Sequence, residues 1–342
     1  MDLTPILNCF FDDVSEIKVS PIISGHINTT FLVRNGSEQF VLQKVNADVF
    51  PHLEVLEENH RTINSILEDS DYPFKIVNFQ PTLKGNYFDE YEKVWRLLGF
   101  VSQAKTYLKA PNATLIRKAT RAFGTFYKTI NAHSDRYKIQ NSLPGFIDFE
   151  HRAHQFCEAL QRASTARLKQ ASPQIAYAKN CLPLLEHWNT MMKTEHLPSR
   201  IIHADPKISN VLFDEKDEVL AIIDLDTLMP STILYDFGDM VRSYTNLANE
   251  DDAEAEQCFS PEFYHAVKEG FLEGIGEELK PIEKESLDYA GRCVIFVQGL
   301  RFLTDFLNGD CYYHTDYETH NLDRTQNQFQ LLQELEEFLL NK

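Results

Sequence analysis

The sequence contains no long apolar run. Its longest stretches, such as Cys293-Val294-Ile295-Phe296-Val297, are far too short to cross a bilayer. The first residues, Met1 to Pro5, lack the basic start and apolar stretch of a signal peptide. Cysteine is sparse and unpatterned: Cys9, Cys157, Cys181, Cys258, Cys293 and Cys311 form no C-x-x-C pair and have no histidine at zinc-like spacing. Reduced thiols in a cytoplasmic protein are therefore expected. Positive charge is scarce as well. With 33 basic against 51 acidic residues the formal net charge is -18, which repels phosphate backbones and anionic lipid. Nucleic acid and membrane are thus not expected partners. Repeats, low-complexity tracts and long linkers are also missing.

What is present is a chain of 342 residues, 43% hydrophobic and 25% charged. That is a globular profile, long enough to bury a core without disulfides or structural metals. Up to Val101 the chain reads as short strands with one helix. Ile17 to Ile23, Thr30 to Arg34 and Gln39 to Val45 are rich in β-branched and aromatic residues. Asn35-Gly36 between the last two is a strong hairpin signal. Leu53, Leu56, Ile63 and Leu67 predict a helix from Pro51 to Leu67. A further hairpin is expected from Leu83 to Phe88 and Lys93 to Val101. Beyond it, helical spacing dominates Ala113 to Ala132, Leu287 to Leu307 and Asp323 to Leu340. The fold class predicted is α+β: a small antiparallel β lobe over 1–101, with one helix, and a larger mainly helical lobe over 102–342.

One strand-loop-strand island interrupts the helices. It runs Ile201-Ile202-His203-Ala204-Asp205-Pro206-Lys207-Ile208-Ser209-Asn210-Val211-Leu212-Phe213, turns over Asp214 to Asp217, and returns through Leu220-Ala221-Ile222-Ile223-Asp224-Leu225-Asp226. Two apolar strands end in carboxylates, with a lysine and an asparagine between them. Phosphoryl transfer from ATP needs such a set. One carboxylate takes the acceptor hydroxyl proton, a second carboxylate and a carboxamide oxygen hold Mg²⁺, and a cation neutralises the moving phosphoryl group. The spacing adds specificity, because Asn210 follows Asp205 by five residues, as in the kinase catalytic loop H-R-D-x-x-x-x-N. Asp224 arrives fourteen residues later on the returning strand.

The island resembles the aminoglycoside phosphotransferase and choline kinase-like superfamily, in which a protein-kinase-type two-lobed fold phosphorylates small molecules. The resemblance implies that Asp205 is the catalytic base, Lys207 a phosphate contact, and Asn210 and Asp224 the Mg²⁺ ligands. His203 is expected to be a hydrogen-bonded core group. The letters Asp236-Phe237-Gly238 imitate a kinase metal motif, but they lie twenty-six residues past Asn210 and open a helix. Asp236 is therefore expected to cap that helix. Asp226 has three readings: a second metal contact, a hairpin support or a substrate contact.

A phosphate flap is expected at Ser24-Gly25-His26-Ile27-Asn28-Thr29, although it holds a single glycine. Lys44 is the candidate basic residue for ATP, with Gln43 on the opposite strand face. Glu58 is its expected partner, and Glu54 and Glu57 compete with it. The segments Trp95-Arg96 with Phe100, Leu143-Pro144-Gly145-Phe146 with Arg152, Leu225 to Pro230, Arg301 to Asp310 and His320 to Arg324 resemble the N-acetylhexosamine 1-kinase branch. That resemblance implies ATP-dependent phosphorylation of the anomeric hydroxyl of N-acetylglucosamine or N-acetylgalactosamine. Arg301, Asp305, Trp95, Tyr312 and Tyr313 would line the sugar pocket. Arg301 and Asp305, four apart, would alternatively pair along a helix, and Trp95 would alternatively be core. Ala204, where a glycine or asparagine is more usual, and His314 to Tyr317 depart from the branch. Competing readings are a kinase of another alcohol, such as an amino alcohol, homoserine, an aminoglycoside or another sugar. A glycosyltransferase with Asp224-Leu225-Asp226 as a D-x-D motif, and a non-catalytic kinase-like binding protein, are the other two.

Overall fold

The structure, a computed structural model, describes residues 2–22, 28–88, 93–132, 136–194 and 197–341. The first elements in chain order are α1 (Thr4–Phe10), β1 (Lys18–Ile22), β2 (Thr29–Asn35), β3 (Glu38–Lys44), α2 (Leu53–Glu68), β4 (Phe79–Gln80) and β5 (Trp95–Gly99). The middle of the chain forms α3 (Ala113–Asn131), α4 (Phe149–Arg162), α5 (Thr165–Gln170), α6 (Ser172–Thr194), β6 (Arg200–Ile202), β7 (Val211–Phe213), β8 (Val219–Ile222) and β9 (Met229–Ser231). The remainder is α7 (Ile233–Thr245), α8 (Pro261–Ile275), α9 (Pro281–Glu285), α10 (Leu287–Asn308) and α11 (His320–Leu340). This is the expected α+β class. Among the described residues, no helix is long and apolar enough to cross a membrane.

The chain divides into two compact units. The first comprises residues 1–106, 129–143 and 210–230, and the second residues 107–128, 144–209 and 231–342. The opening stretch of the first unit ends at residue 106, and the unit also takes in residues 129–143 and the later hairpin.

In the first unit an antiparallel sheet of five strands runs in the order β1-β2-β3-β5-β4 among the described residues. Strand alternation sorts its side chains by face. Phe31, Val33, Leu42, Trp95 and Leu97 share one face and pack with Ile6, Leu7 and Phe10 of α1. Thr30, Gln43 and Arg96 lie side by side on the other face. The expected strand Leu83 to Phe88 does not form. Thr82 to Asn86 is instead a tight turn, with Gly85 at φ +85°, and β5 pairs with β4 on one side and β3 on the other. Glycine's lack of a Cβ permits that backbone, and the turn residues outweigh the apolar spacing. The β7–β8 hairpin belongs to this unit because it is anchored on both edges. Phe213 exchanges backbone hydrogen bonds with Lys105, and Leu220 accepts from Lys75. Asp214 organises its turn by accepting the N–H groups of Lys216 and Glu218.

The second unit is built around α10, which is buried along nearly its whole length, from Leu287 to Leu307. An apolar surface on every side suits a helix surrounded by others, here α11, α7, α4 and α6. Approach between α7 and α10 is close enough that a Cβ on Gly238 would lie 2.5 Å from Val294 Cγ2 and 2.6 Å from the Ala290 carbonyl. β6 is tied down by a buried pair in which Arg200 donates to both oxygens of Glu283, each at 2.6 Å.

Candidate active site

In the second unit, β6 delivers the chain into a constrained loop. Ala204 adopts φ +64°, a left-handed conformation that costs a non-glycine residue roughly 1–2 kcal/mol. Asp236 holds it there. Its fully buried carboxylate accepts the backbone N–H of His203 at 2.8 Å, that of Ala204 at 3.0 Å and the hydroxyl of Tyr127 at 2.6 Å. Contrary to expectation, Asp236 therefore does not cap α7; that role falls to Thr232, whose hydroxyl accepts the Leu234 N–H. Burial lifts the Asp236 carboxyl to about 7, against the pull of Tyr127 and the two N–H groups, with Asp239 adding to the rise.

His203 is buried between the edges of Phe123 and Phe126, and its Nδ1 accepts the N–H of Asp205 at 3.3 Å. A ring nitrogen that accepts carries no proton, so the loop uses the histidine as a backbone anchor. The side chains of Asp205 and Lys207 emerge partly exposed, with Lys207 Nζ 2.6 Å from Asp205 Oδ2. Such a pair presents a carboxylate and an ammonium together at one end of the loop.

Asn210 and Asp224 lie in the first unit, at the same end of the β7–β8 hairpin. Val211 pairs with Ile222, and the Ile223 N–H donates to the Asn210 carbonyl at 2.9 Å. Asp224 then takes φ +66° and ψ +55° and is exposed, while Asn210 is buried. A non-glycine residue held left-handed next to a metal-type oxygen set is where stored strain is commonly found. One carboxylate and one carboxamide oxygen, both hard donors, suit Mg²⁺, which prefers few protein ligands and keeps several waters. Among the described residues no cluster of three or more His, Cys, Asp or Glu forms a dedicated metal cage.

Asp226 has both carboxylate oxygens engaged within the first unit. Two residues past Asp224, it is buried and gripped by Arg96, with Nη1 2.6 Å from Oδ1 and Nη2 2.7 Å from Oδ2. Gln43 Oε1 accepts from Arg96 Nε at 2.9 Å and Nη2 at 2.7 Å. Asn28 Nδ2 adds a bond to Asp226 at 3.3 Å, and Asn28 Oδ1 accepts the Asn46 N–H. Burial alone would raise the Asp226 carboxyl, but Arg96 holds it below its ordinary value. Burial and the nearby Arg96 push His60, stacked on Phe79, down to about 3. The D-x-D reading fails here too, because one of its two carboxylates is already neutralised in the interior.

Lys44 lies on the other side of the sheet, in register with Trp95 and Thr29 and sharing the α1 face. Gln43, not Lys44, therefore shares a face with Arg96 and Asp226. Glu58 instead accepts from Gln140 Nε2 at 2.7 Å, Glu57 meets Arg61 and Glu54 meets His52. Ser24, Gly25 and His26 of the expected flap lie outside the described residues.

The expected sugar contacts separate in the same way. Trp95 is 3% exposed and part of the sheet core, which excludes it as a pocket wall. Asp305 is no free acceptor either. Its carboxylate takes the N–H groups of Cys311, Tyr312 and Tyr313 and the Asn321 amide, so it holds a loop rather than pairing with Arg301. Arg301 does line a cavity of about 110 Å³ in the second unit, together with Arg152, Gln155, Asn308, Tyr312 and Tyr313. Its guanidinium lies over the rings of Phe146 and Tyr313, 5.4 and 5.6 Å from their centroids. Tyr235, next to Asp236 on α7, packs against the same Phe146 ring. One helix thus supports the ring beneath Arg301 and anchors the Asp205 loop. Arg96, Asp236, Tyr127 and Arg152 were not expected in these roles. Only the register of β3 and β5 reveals the place of Arg96, whereas the sequence puts Asp236 at the start of a helix but gives no sign of the loop it anchors.

Solved structures share this fold. An aminoglycoside phosphotransferase from Alicyclobacillus acidocaldarius superposes with a TM-score of 0.65 at 12% identity, covering 100% of this chain and 97% of that one. A microcompartment-associated aminopropanol kinase gives 0.65 at 17% identity, with 99% and 98% covered. Spectinomycin phosphotransferase, solved with ADP and spectinomycin, gives 0.60 at 14% identity, with 92% and 88% covered. Residues 18–274, well over half of the chain and including the whole strand-loop-strand island, match the model of the phosphotransferase enzyme family. The chain belongs to that family and is a phosphotransferase acting on hydroxyl groups of small molecules.

Proposed function

We propose that the chain is an ATP- and Mg²⁺-dependent kinase that phosphorylates the anomeric hydroxyl of an N-acetylhexosamine, giving the sugar 1-phosphate. The observation that carries the kinase reading is the Asp205–Lys207 pair on a loop pinned by Asp236. Asp205 accepts the hydroxyl proton as the sugar oxygen bonds to the γ-phosphorus and ADP leaves with the bridging oxygen. Lys207 screens the charge of the transferred group. Asn210 and Asp224 would hold Mg²⁺, which supplies charge neutralisation for the donor phosphates. An anomeric hydroxyl is more acidic than an ordinary alcohol, so a carboxylate base with correct positioning suffices.

The Arg301 cavity favours a sugar over the amino alcohols that related kinases take. A cationic acceptor needs a carboxylate, and the one carboxylate in this lining, Asp305, is spent on backbone N–H groups and an amide. Guanidinium, phenol and amide donors suit hydroxyl and acetamido oxygens instead. The test is ADP release from Mg²⁺-ATP across N-acetylhexosamines, other sugars, choline, homoserine and an aminoglycoside, with the product located by ³¹P NMR. Asp205→Asn should bind nucleotide and keep its melting temperature while losing about 10³-fold or more in kcat, in the range of a lost general base with its charge. Near-full activity in that variant would remove Asp205 from the mechanism. Turnover of a non-sugar alcohol alone would remove the sugar.

A further inference from the structure

The cavity in the second unit holds more positive charge than a neutral sugar requires. Arg152 and Arg301 both line it, and the charge of Arg301 adds to burial in depressing the Arg152 guanidinium. Neither has a carboxylate partner among its hydrogen bonds. Arg152 donates to Gln155 Oε1 at 2.9 Å and to the Gly145 carbonyl at 3.3 Å, and Arg301 donates to Gln298 Oε1 at 3.2 Å. The Nε of Arg152 is buried and meets no acceptor. Four other arginines of this acid-rich unit have carboxylate partners: Arg167 with Asp310, Arg200 with Glu283, Arg242 with Asp239 and Arg292 with Glu336. Asp305 also lines the cavity, but its oxygens are taken by three backbone N–H groups and the Asn321 amide; two partly buried like charges with donors to spare, bonded only to neutral acceptors, are unfavourable unless a ligand brings the opposite charge. Guanidinium forks match planar or tetrahedral oxyanions bidentately.

We propose that this cavity is an oxyanion subsite, in which Arg152 and Arg301 together clamp a carboxylate or phosphate group beside the acceptor hydroxyl. The inference rests on the reading of the chain as a sugar kinase and sharpens it: the preferred acceptor is an acidic amino sugar, or a neutral one bound together with a free oxyanion. Asn308 and the two tyrosines add neutral donors around the rim. The Phe146 ring beneath Arg301 keeps that guanidinium from swinging away, through a cation–π contact.

The probes are N-acetylglucosamine, N-acetylglucosamine 6-phosphate, N-acetylglucosamine with a carboxyalkyl ether at C3, and inorganic phosphate. Turnover of any of the sugars tests the kinase reading; the comparison between charged and neutral sugars tests the subsite. An acidic acceptor should exceed the neutral one at least tenfold in kcat/KM, and Arg152→Gln should erase that ratio. If the oxyanion is separate, phosphate should lower KM for the neutral sugar; if it belongs to the acceptor, phosphate should compete with the acidic sugar. In either case millimolar phosphate should raise the melting temperature of the wild-type chain by several degrees, and that of Arg152→Gln by clearly less. This thermal measurement stands even if no sugar turns over or if the variant folds poorly. Equal use of charged and neutral acceptors, with no stabilisation by phosphate, would overturn the proposal.

Discussion

At the scale of single residues, the informative comparison is between two neighbouring basic side chains on the same sheet. Lys44 stands on the face that packs against α1, whereas Arg96 stands on the face that carries Gln43 and Asp226. Arg96 is 2% exposed and makes two bonds to a buried carboxylate. Removing such a partner strands the remaining charge and typically costs about 3–5 kcal/mol. Arg96→Lys keeps the charge but loses the fork, and it should cost at least about 2 kcal/mol in urea unfolding. Because Asp226 follows the metal-type Asp224 by two residues, Arg96→Lys should also raise the Mg²⁺ concentration needed for half-maximal activity. Lys44→Ala should change stability by less than about 1 kcal/mol and leave KM for ATP within roughly twofold, as a variant off the Asp226 face. A large rise in KM for ATP in Lys44→Ala, with Arg96→Lys silent, would reverse the assignment.

At the scale of elements, α7 connects features that its sequence did not join. Asp236 points back to the loop after β6, Tyr235 packs on Phe146, and Gly238 lets α10 approach. The letters Asp236-Phe237-Gly238 are therefore packing and anchoring residues with no metal role. A methyl on Gly238 would sit under 3 Å from both a side chain and a backbone carbonyl, so the helices would have to move apart. Overpacking of this kind costs about 1–3 kcal/mol or more. Gly238→Ala should lower thermal stability accordingly and reduce kcat as well, because the displaced helix carries the Asp236 anchor. A fully active variant with unchanged melting temperature would show that α7 and α10 have slack at this crossing.

At the scale of the whole molecule, the buried Asp236 links stability to pH. Its folded-state value of about 7 lies above the ordinary 3.8. The folded chain therefore holds a proton that the unfolded chain has released. That contribution is complete below about pH 4 and is lost as pH rises through 7, with a slope of at most about 1.4 kcal/mol per pH unit. Asp236→Asn cannot titrate. The unfolding free energy of the wild-type chain relative to this variant should thus fall between pH 5 and pH 8. A difference that stays flat across that window would mean the carboxylate is ionised throughout. The acidity of the chain as a whole, -18, gives the two arginines of the second unit their interest, since the hydrogen bonds of both go to neutral acceptors and the one carboxylate in their cavity is held by other donors.

Much of this was legible in the sequence, because it depends on local order. The spacing from Asp205 to Asn210 to Asp224, the Asn35-Gly36 hairpin, the apolar periodicity of α2 and α3 and the all-round apolar character of α10 are properties of neighbouring residues. The α+β class follows from the same patterns. What only the tertiary structure decided depends on partners distant in the chain. Arg96 meets Asp226 across 130 positions and Tyr127 meets Asp236 across 109. Whether Trp95 walls a pocket or fills a core depends on which strand face α1 covers. A strand's period of two tells which residues share a face but never which face is buried. The fate of Asp305 likewise rested on a loop whose backbone donors no periodicity announces. Sequence determined the chemistry available to this protein; packing decided which of those groups were consumed in holding the fold together and which were left to act.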